Sequence, residues 1–173
     1  MKRCAFTLLA LLFPLALCAE DKKPTVFASK EGKFTVALPE KPSEKTSKVP
    51  TDAGQLELHI FVLDQKDRAY LVTYSDYPAG TVKDNADKVL TGVVEGNAKS
   101  LKGKVASEEK ITIGKKKYPG REIRIEMDDK KGLYRARVYL VGDRLYQVVA
   151  LGPDEFAKGK AVDDYLKSFA IDE

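Results

Sequence analysis

The chain has 173 residues, 43% of them hydrophobic, with 30 Lys and Arg against 26 Asp and Glu for a formal charge of +4. Charges of both signs are interspersed nearly everywhere, which excludes the one-sided basic footprint of a nucleic-acid binder. One histidine and two cysteines are too few for a zinc or copper site of the usual kind or for a disulfide framework.

Residues 1–19 read as a secretory signal peptide. Lys2 and Arg3 precede an apolar run from Ala5 to Leu17, and small residues then lead into Glu20-Asp21-Lys22-Lys23. The run is shorter than the roughly 20 apolar residues a spanning helix needs. No later segment approaches that length, so no transmembrane segment is expected. Cleavage after Ala19 removes Cys4 and Cys18 and lowers the charge from +4 to +2, because Lys2 and Arg3 leave with them. The alternative is a lipobox at Leu15–Cys18 that anchors Cys18 to lipid. It is disfavoured by the bulky Leu17 where a small residue is preferred. A secreted protein of the periplasm or extracellular space is expected, with residues 20–24 as a short linker and 25–173 as a single α+β domain.

"KFTVALP" alternates Phe34, Val36 and Leu38 with polar or small residues, the pattern of a half-buried strand. "LPEKPSEKTSKVPTDAG" (Leu38 to Gly54) is polar and punctuated by prolines, and reads as one surface loop. "GQLELHIFVLDQ" and "RAYLVTYSDYP" follow as a hairpin turning at Asp64–Asp67. The period then lengthens. From Val82, apolar residues recur at Ala86, Val89, Leu90, Val93, Ala98 and Leu101, a single helical stripe with Thr81 as N-cap and Gly103 as stop. Strand periodicity returns in "KVASEEKITIG" and "YPGREIRIEMDD". "FAKGKAVDDYLKSFAI" closes the chain as an amphipathic helix presenting Val162, Tyr165, Leu166 and Phe169.

The most strongly patterned stretch is "RARVYLVGDRLYQVVALGP", Arg135 to Pro153. A two-residue turn at Gly142-Asp143, of type II′ with Gly first, pairs Val141 with Arg144 and continues outward. One face, with Ala136, Val138, Leu140, Leu145 and Val149, is core. The other sets Tyr139 against Tyr146, Arg137 against Val148 and Arg135 against Ala150. Two readings compete for that face. A helix covers part of it while the arginine stems pack on tyrosine rings with their charges in water. Otherwise Arg135, Arg137, Tyr139 and Tyr146 form an open partner-binding patch of the kind enriched at interfaces.

"KFTVALPEKP", "YLVTYSDYP" ahead of a long helix, "YPGREIRIE", "RARVYLVGDRLYQVVALGP" and "AVDDYLKSFAI" together resemble the PsbP/Mog-like family, in particular its uncharacterised secreted bacterial members. The resemblance covers nearly all of the chain from about Thr25 and is looser in the first half. It implies an antiparallel β-sheet flanked by helices, an α/β/α sandwich, and non-enzymatic roles. Relatives include an extrinsic subunit of photosystem II and a partner of the Ran GTPase, and no residues here match either partner site.

The chemistry expected is sparse. His59 reads as a strand histidine, with no second histidine or mature cysteine to join it in a metal site or a triad. The carboxylate pairs Glu108-Glu109, Asp128-Asp129 and Asp163-Asp164 read as hairpin tips and solvated helix faces. They are the only basis for an alternative carboxylate-based hydrolase of the envelope. "GKKKYPG" (Gly114 to Gly120) is either a phosphate or anionic-lipid contact or a charged hairpin loop. No cofactor is expected. The function expected is a secreted, non-catalytic binding or accessory module of the bacterial envelope, whose partner is another envelope protein.

Overall fold

A computed structural model describes residues 23–51, 54–82, 84–127 and 132–173. The signal peptide, Cys4, Cys18 and the Asp128-Asp129 pair lie outside the described residues.

Among the described residues, ten strands form two antiparallel sheets. Seven run β3 (Ser43–Thr51), β4 (Gly54–Gln65), β5 (Arg68–Asp76), β6 (Lys104–Ile113), β7 (Tyr118–Glu126), β8 (Leu133–Val141) and β9 (Arg144–Gly152). They lie side by side in the order β3-β4-β5-β9-β8-β7-β6. A three-stranded sheet sets β2 (Phe34–Leu38) between β1 (Thr25–Ser29) and the two-residue β10 (Ala170–Ile171). The single sheet expected from the sequence is therefore two, and the "KFTVALP" strand belongs to the smaller one. Its alternation showed that one face is buried but not which sheet it joins.

The Gly142 hairpin forms in the expected register, with Val141 opposite Arg144 and Tyr139 opposite Tyr146. Gly142 takes φ 61° while Asp143 stays at negative φ, the combination a type II′ turn requires. Each face of the large sheet buries its own cluster. On one, helix α1 (Ala86–Ser100) seats Leu90 and Val94 on Ile123, Ile125, Ala136, Val138 and Val149. On the other, α3 (Lys160–Ser168) seats Val162, Tyr165 and Leu166, and the small sheet seats Phe34, Val36 and Leu38. Both lie over Phe61, Val72, Tyr74 and Val148. Full burial of such a side chain contributes about 1.5–3 kcal/mol, so the core holds without cross-links.

Three expectations change. Residues 43–51 are not a loop but the edge strand β3, paired with β4 from Ser43↔Val62 to Thr51↔Gly54. Ser43 to Pro50 are all exposed, so neither face carries the apolar alternation by which strands are recognised, and Pro50 is tolerated at an edge. Helix α1 begins at Ala86 rather than Val82. The preceding residues close turns instead (Thr81 N–H to Pro78 O, 3.1 Å; Asn85 N–H to Val82 O, 3.0 Å), and Val82 still enters the core. At its other end Gly103 N–H reaches Ala98 O at 2.9 Å, but Lys102, at φ 48°, takes the left-handed position. The C-terminal helix is split at Gly159 into the short α2 (Asp154–Ala157) and α3.

Candidate functional site

The hairpin's second face is covered. Arg135, Arg137, Tyr139 and Tyr146 do share one side of β8 and β9, but that side lies under α2, α3 and Phe169. Arg135, Tyr139 and Tyr146 are buried, and only Arg137 keeps partial exposure. Nor are the arginine heads left to water alone. Arg135 Nη1 donates to Asp163 Oδ1 at 2.7 Å and to Ala157 O at 2.9 Å. Arg137 donates from Nε to Glu122 Oε2 at 2.8 Å. The Tyr139 ring stacks on Phe169, 5.9 Å between centroids at 6°. Arg135, Arg137, whose Nη1 donates to Leu166 O at 3.4 Å, and Tyr139 fasten α3 and Phe169 to the sheet, and a partner using them as a contact surface would have to displace that helix.

The carboxylate pairs separate in the same way. Glu108 takes Arg121 Nε at 2.9 Å while Asp87 of α1 takes the other end of that buried guanidinium. Asp163 binds Arg135, and Asp164 binds Lys160. In "GKKKYPG" the backbone N–H groups of Lys115 and Lys116 point at Glu173, whose carboxylate accepts from both. That turn is already occupied by an anion of the chain's own.

A chemically varied surface lies elsewhere, between the small sheet and the β3–β4 end of the large one. A groove of about 530 Å³ has Phe27, Phe61 and Tyr74 in its floor. Lys30 and Glu31 stand on one wall, and Glu44, Thr46, Glu57 and His59 on the other. One wall is the end of β1, the outermost strand of the small sheet, with the turn that follows it; the other is β3, the outermost strand of the large sheet, with β4 beside it.

At its inner end a stack is built by strand pairing. His59 is opposite Tyr74 on the β4–β5 ladder, and the two rings stack at 4.4 Å and 8°. Arg144 sits diagonally across β9, its Cζ 4.4 Å from the Tyr74 ring centroid and 6.0 Å from that of Tyr146. Asp76, opposite Arg144, grips the guanidinium through both oxygens, at 2.6 and 2.7 Å. The remaining donor, Nη1, bonds Glu31 O at 2.9 Å, and Tyr146 Oη donates to Gly32 O at 2.7 Å. Both bonds tie the β1–β2 turn, and with it one wall of the groove, to the large sheet.

The electrostatics follow from these contacts. Hydrogen bonds from Arg144 hold the Asp76 carboxyl below the usual range against the opposing effect of burial, and Asp76 in turn raises Arg144. Burial, aided by Glu31, pushes the Tyr74 hydroxyl up. The result is a neutral aromatic floor beside a locked ion pair. His59 Nε2 lies 3.5 Å from Glu57 Oε1, and both remain partly open to solvent at the rim. Among the described residues no group of three or more His, Cys, Asp or Glu is placed to hold a metal ion. No helix there is long and apolar enough to cross a membrane.

Sequence reasoning placed His59 correctly on a strand but passed over Tyr74, Asp76 and Arg144 as a unit. What joins them is the pairing of β5 with β9, strands separated by α1 and three further strands. Arg144 directly after the turn, and Asp76 at the end of its strand, were the only local signals.

No known protein family and no curated protein matches the chain by sequence. By structure, the chain has a PsbP-like fold. The solution structure of cyanobacterial PsbP (CyanoP) from Synechocystis sp. PCC 6803 is similar to it with a TM-score of 0.58 and 16% identity, over 92% of this chain and 99% of that one. A Pseudomonas aeruginosa protein of unknown function overlaps less well, with a TM-score of 0.40 and 11% identity over 79% of this chain. At such identities the likeness is one of fold.

Proposed function

We propose that this chain is a secreted, non-catalytic binding module of the bacterial envelope, and that the groove between β1 and β3 receives a segment of another envelope protein. The observation that carries the reading is the groove itself. Aromatic rings form its floor, charges of both signs line its walls, and the free edge of β1 offers backbone donors and acceptors to a polypeptide. The PsbP-like fold is in keeping with an accessory role, as fold carries function only weakly. We read the architecture as an α/β/α sandwich, with α1 on one face of the large sheet and α2 and α3 with the small sheet on the other. That arrangement leaves the groove at the uncovered end.

The carboxylate-based hydrolase is the second reading. A general acid at neutral pH needs a carboxyl held above its ordinary value. The carboxyls displaced here, Asp76, Asp87 and Asp163, are all drawn downward by arginines, which suits ion pairing.

The test is a photo-crosslinking residue at Ala28, on the groove wall, beside a control at Thr91 on the exposed side of α1. A partner captured from envelope fractions at Ala28 only, and lost in a Lys30→Glu/Glu31→Lys variant, supports the groove. Equal capture at both positions rejects it. Turnover of an envelope polymer abolished by Glu57→Gln would replace the binding reading with the enzymatic one.

A further inference from the structure

We infer that the chain pairs with a second copy of itself through β3, antiparallel, about a twofold axis at Thr46. β3 is the outermost strand of the seven-stranded sheet, and Ser43 to Pro50 are all exposed, so nothing in the described structure covers this edge. Pro50 holds its place in the ladder opposite Gln55 although it has no N–H. A proline is accommodated there when the missing donor falls on the side away from the neighbouring strand. Antiparallel alternation then directs the backbone N–H and C=O of Glu44, Thr46 and Lys48 toward the free edge.

The side chains match that backbone. With Thr46 opposite Thr46 of the second copy, Glu44 meets Lys48 of the second copy, and the pair recurs by symmetry on the other side of the axis. Opposite charges directly across an antiparallel pair attract, and like charges repel. In the same register Pro42 falls opposite Pro50, so the ladder ends at Ser43 and Val49 on both copies. Neighbouring registers lose the match. An axis at Glu44 or at Lys48 sets like charges face to face, and an axis at Lys45 or Ser47 brings no acid against a lysine. Lysines alone on an edge keep other strands away. Glu44, four residues before Lys48, makes this edge complementary to itself.

The pairing does not depend on the groove reading, because the added strand lies on the outer side of the β3 wall. The contact is small compared with the roughly 800 Å² per partner of a standard interface, so a dimer that grows with concentration is expected.

The experiment is sedimentation and light scattering on the purified exported protein across a wide concentration range. Glu44→Lys and Lys48→Glu, both at exposed positions, should each weaken the dimer by roughly tenfold, since each turns two attractive pairs into two repulsive ones. The Glu44→Lys/Lys48→Glu double variant should restore it, and an equimolar mixture of the two single variants should form a mixed dimer. Mild oxidation of Thr46→Cys, with the unaltered chain beside it to account for Cys4 and Cys18, should yield a disulfide dimer. Opposed residues of a bonded pair lie about 5.5 Å apart at Cα, within disulfide reach. A protein that stays monomeric throughout overturns the inference. So does a dimer indifferent to either single reversal, or a double variant as weak as the singles. If a single variant misfolds by circular dichroism, the Thr46→Cys result decides alone. Crosslinking at Ala28 reads the groove separately, so either idea can fail without the other.

Discussion

Arg135 and Asp163 meet where β8 passes under α3, Nη1 to Oδ1 at 2.7 Å, with the arginine side chain only 6% exposed and the aspartate 40%. The pair is lopsided, and its two partners should respond differently to removal. Asp163→Ala leaves the buried cation with only the longer ion pair from Nη2 to Glu122 Oε1, at 3.6 Å, and is expected to cost about 2–3 kcal/mol. Arg135→Met leaves a carboxylate that water can reach and should cost about 1–2 kcal/mol, chiefly through the bond lost at Ala157 O. Urea midpoints of the two variants check the order, and equal losses would show that α3 is not held by this contact.

The same arginines should make the protein acid-sensitive. Asp76 and Asp163 are held below the ordinary carboxyl value of 3.8, first by hydrogen bonds from Arg144 and Arg135 respectively. A depressed folded-state value means stability that is present above 3.8 and lost as the pH falls below it. Urea midpoints should therefore be level from neutrality to about pH 5 and fall steeply below pH 4. An Asp76→Asn/Asp163→Asn variant, weaker at neutral pH, should show a shallower acid limb.

In alkali the tyrosines reverse the sign. Burial raises Tyr74, Tyr139, Tyr146 and, most strongly, Tyr134 and Tyr165 above the ordinary 10.0. A raised folded-state value favours the neutral ring, so this contribution is intact below pH 10 and lost as the pH climbs past it. Phenolate absorbance should rise late and together with loss of circular dichroism. A smooth rise near pH 10 in a folded protein would contradict this burial.

Arg144 joins the Tyr74 ring, Asp76 and the β1–β2 turn. Arg144→Ala removes two cation–π contacts, the closer to Tyr74 and the longer to Tyr146, and a bidentate ion pair that is largely exposed on the acid side, at an expected cost of about 1–2 kcal/mol. Amide exchange should quicken in residues 29–33 and leave α1 unchanged. Equal protection in both would mean that the groove wall stands without this tie.

Gly120 lies opposite Tyr139 on the β7–β8 ladder, and a Cβ there would come within 2.5 Å of the tyrosine ring and 2.6 Å of Val138 O. Because the carbonyl belongs to a central strand, the neighbour has little room to give. Gly120→Ala should cost about 2–3 kcal/mol by overpacking, measurable as a lowered thermal midpoint.

Legibility in the sequence followed burial on one face. Tyr139 opposite Tyr146 could be read from Gly142 and Asp143, because a two-residue turn sets the register of everything beyond it. The α1 stripe was legible because Leu90 and Val94 face one continuous apolar surface. β3 was not, since with both faces in water its residues answer to no period. The groove was hidden for a different reason: Asp76 and Arg144 are neighbours only after β5 has paired with β9.

What the sequence by itself determined is therefore local: where the strands and helices with a buried apolar face run, to within a turn, which hairpin closes on Gly142, and which apolar side chains must be buried. The fate of the Arg135, Arg137, Tyr139 and Tyr146 face, the division into two sheets, and the groove between β1 and β3 were decided only by tertiary structure. They depend on which elements meet across long stretches of chain, and periodicity records that a face is covered without recording what covers it.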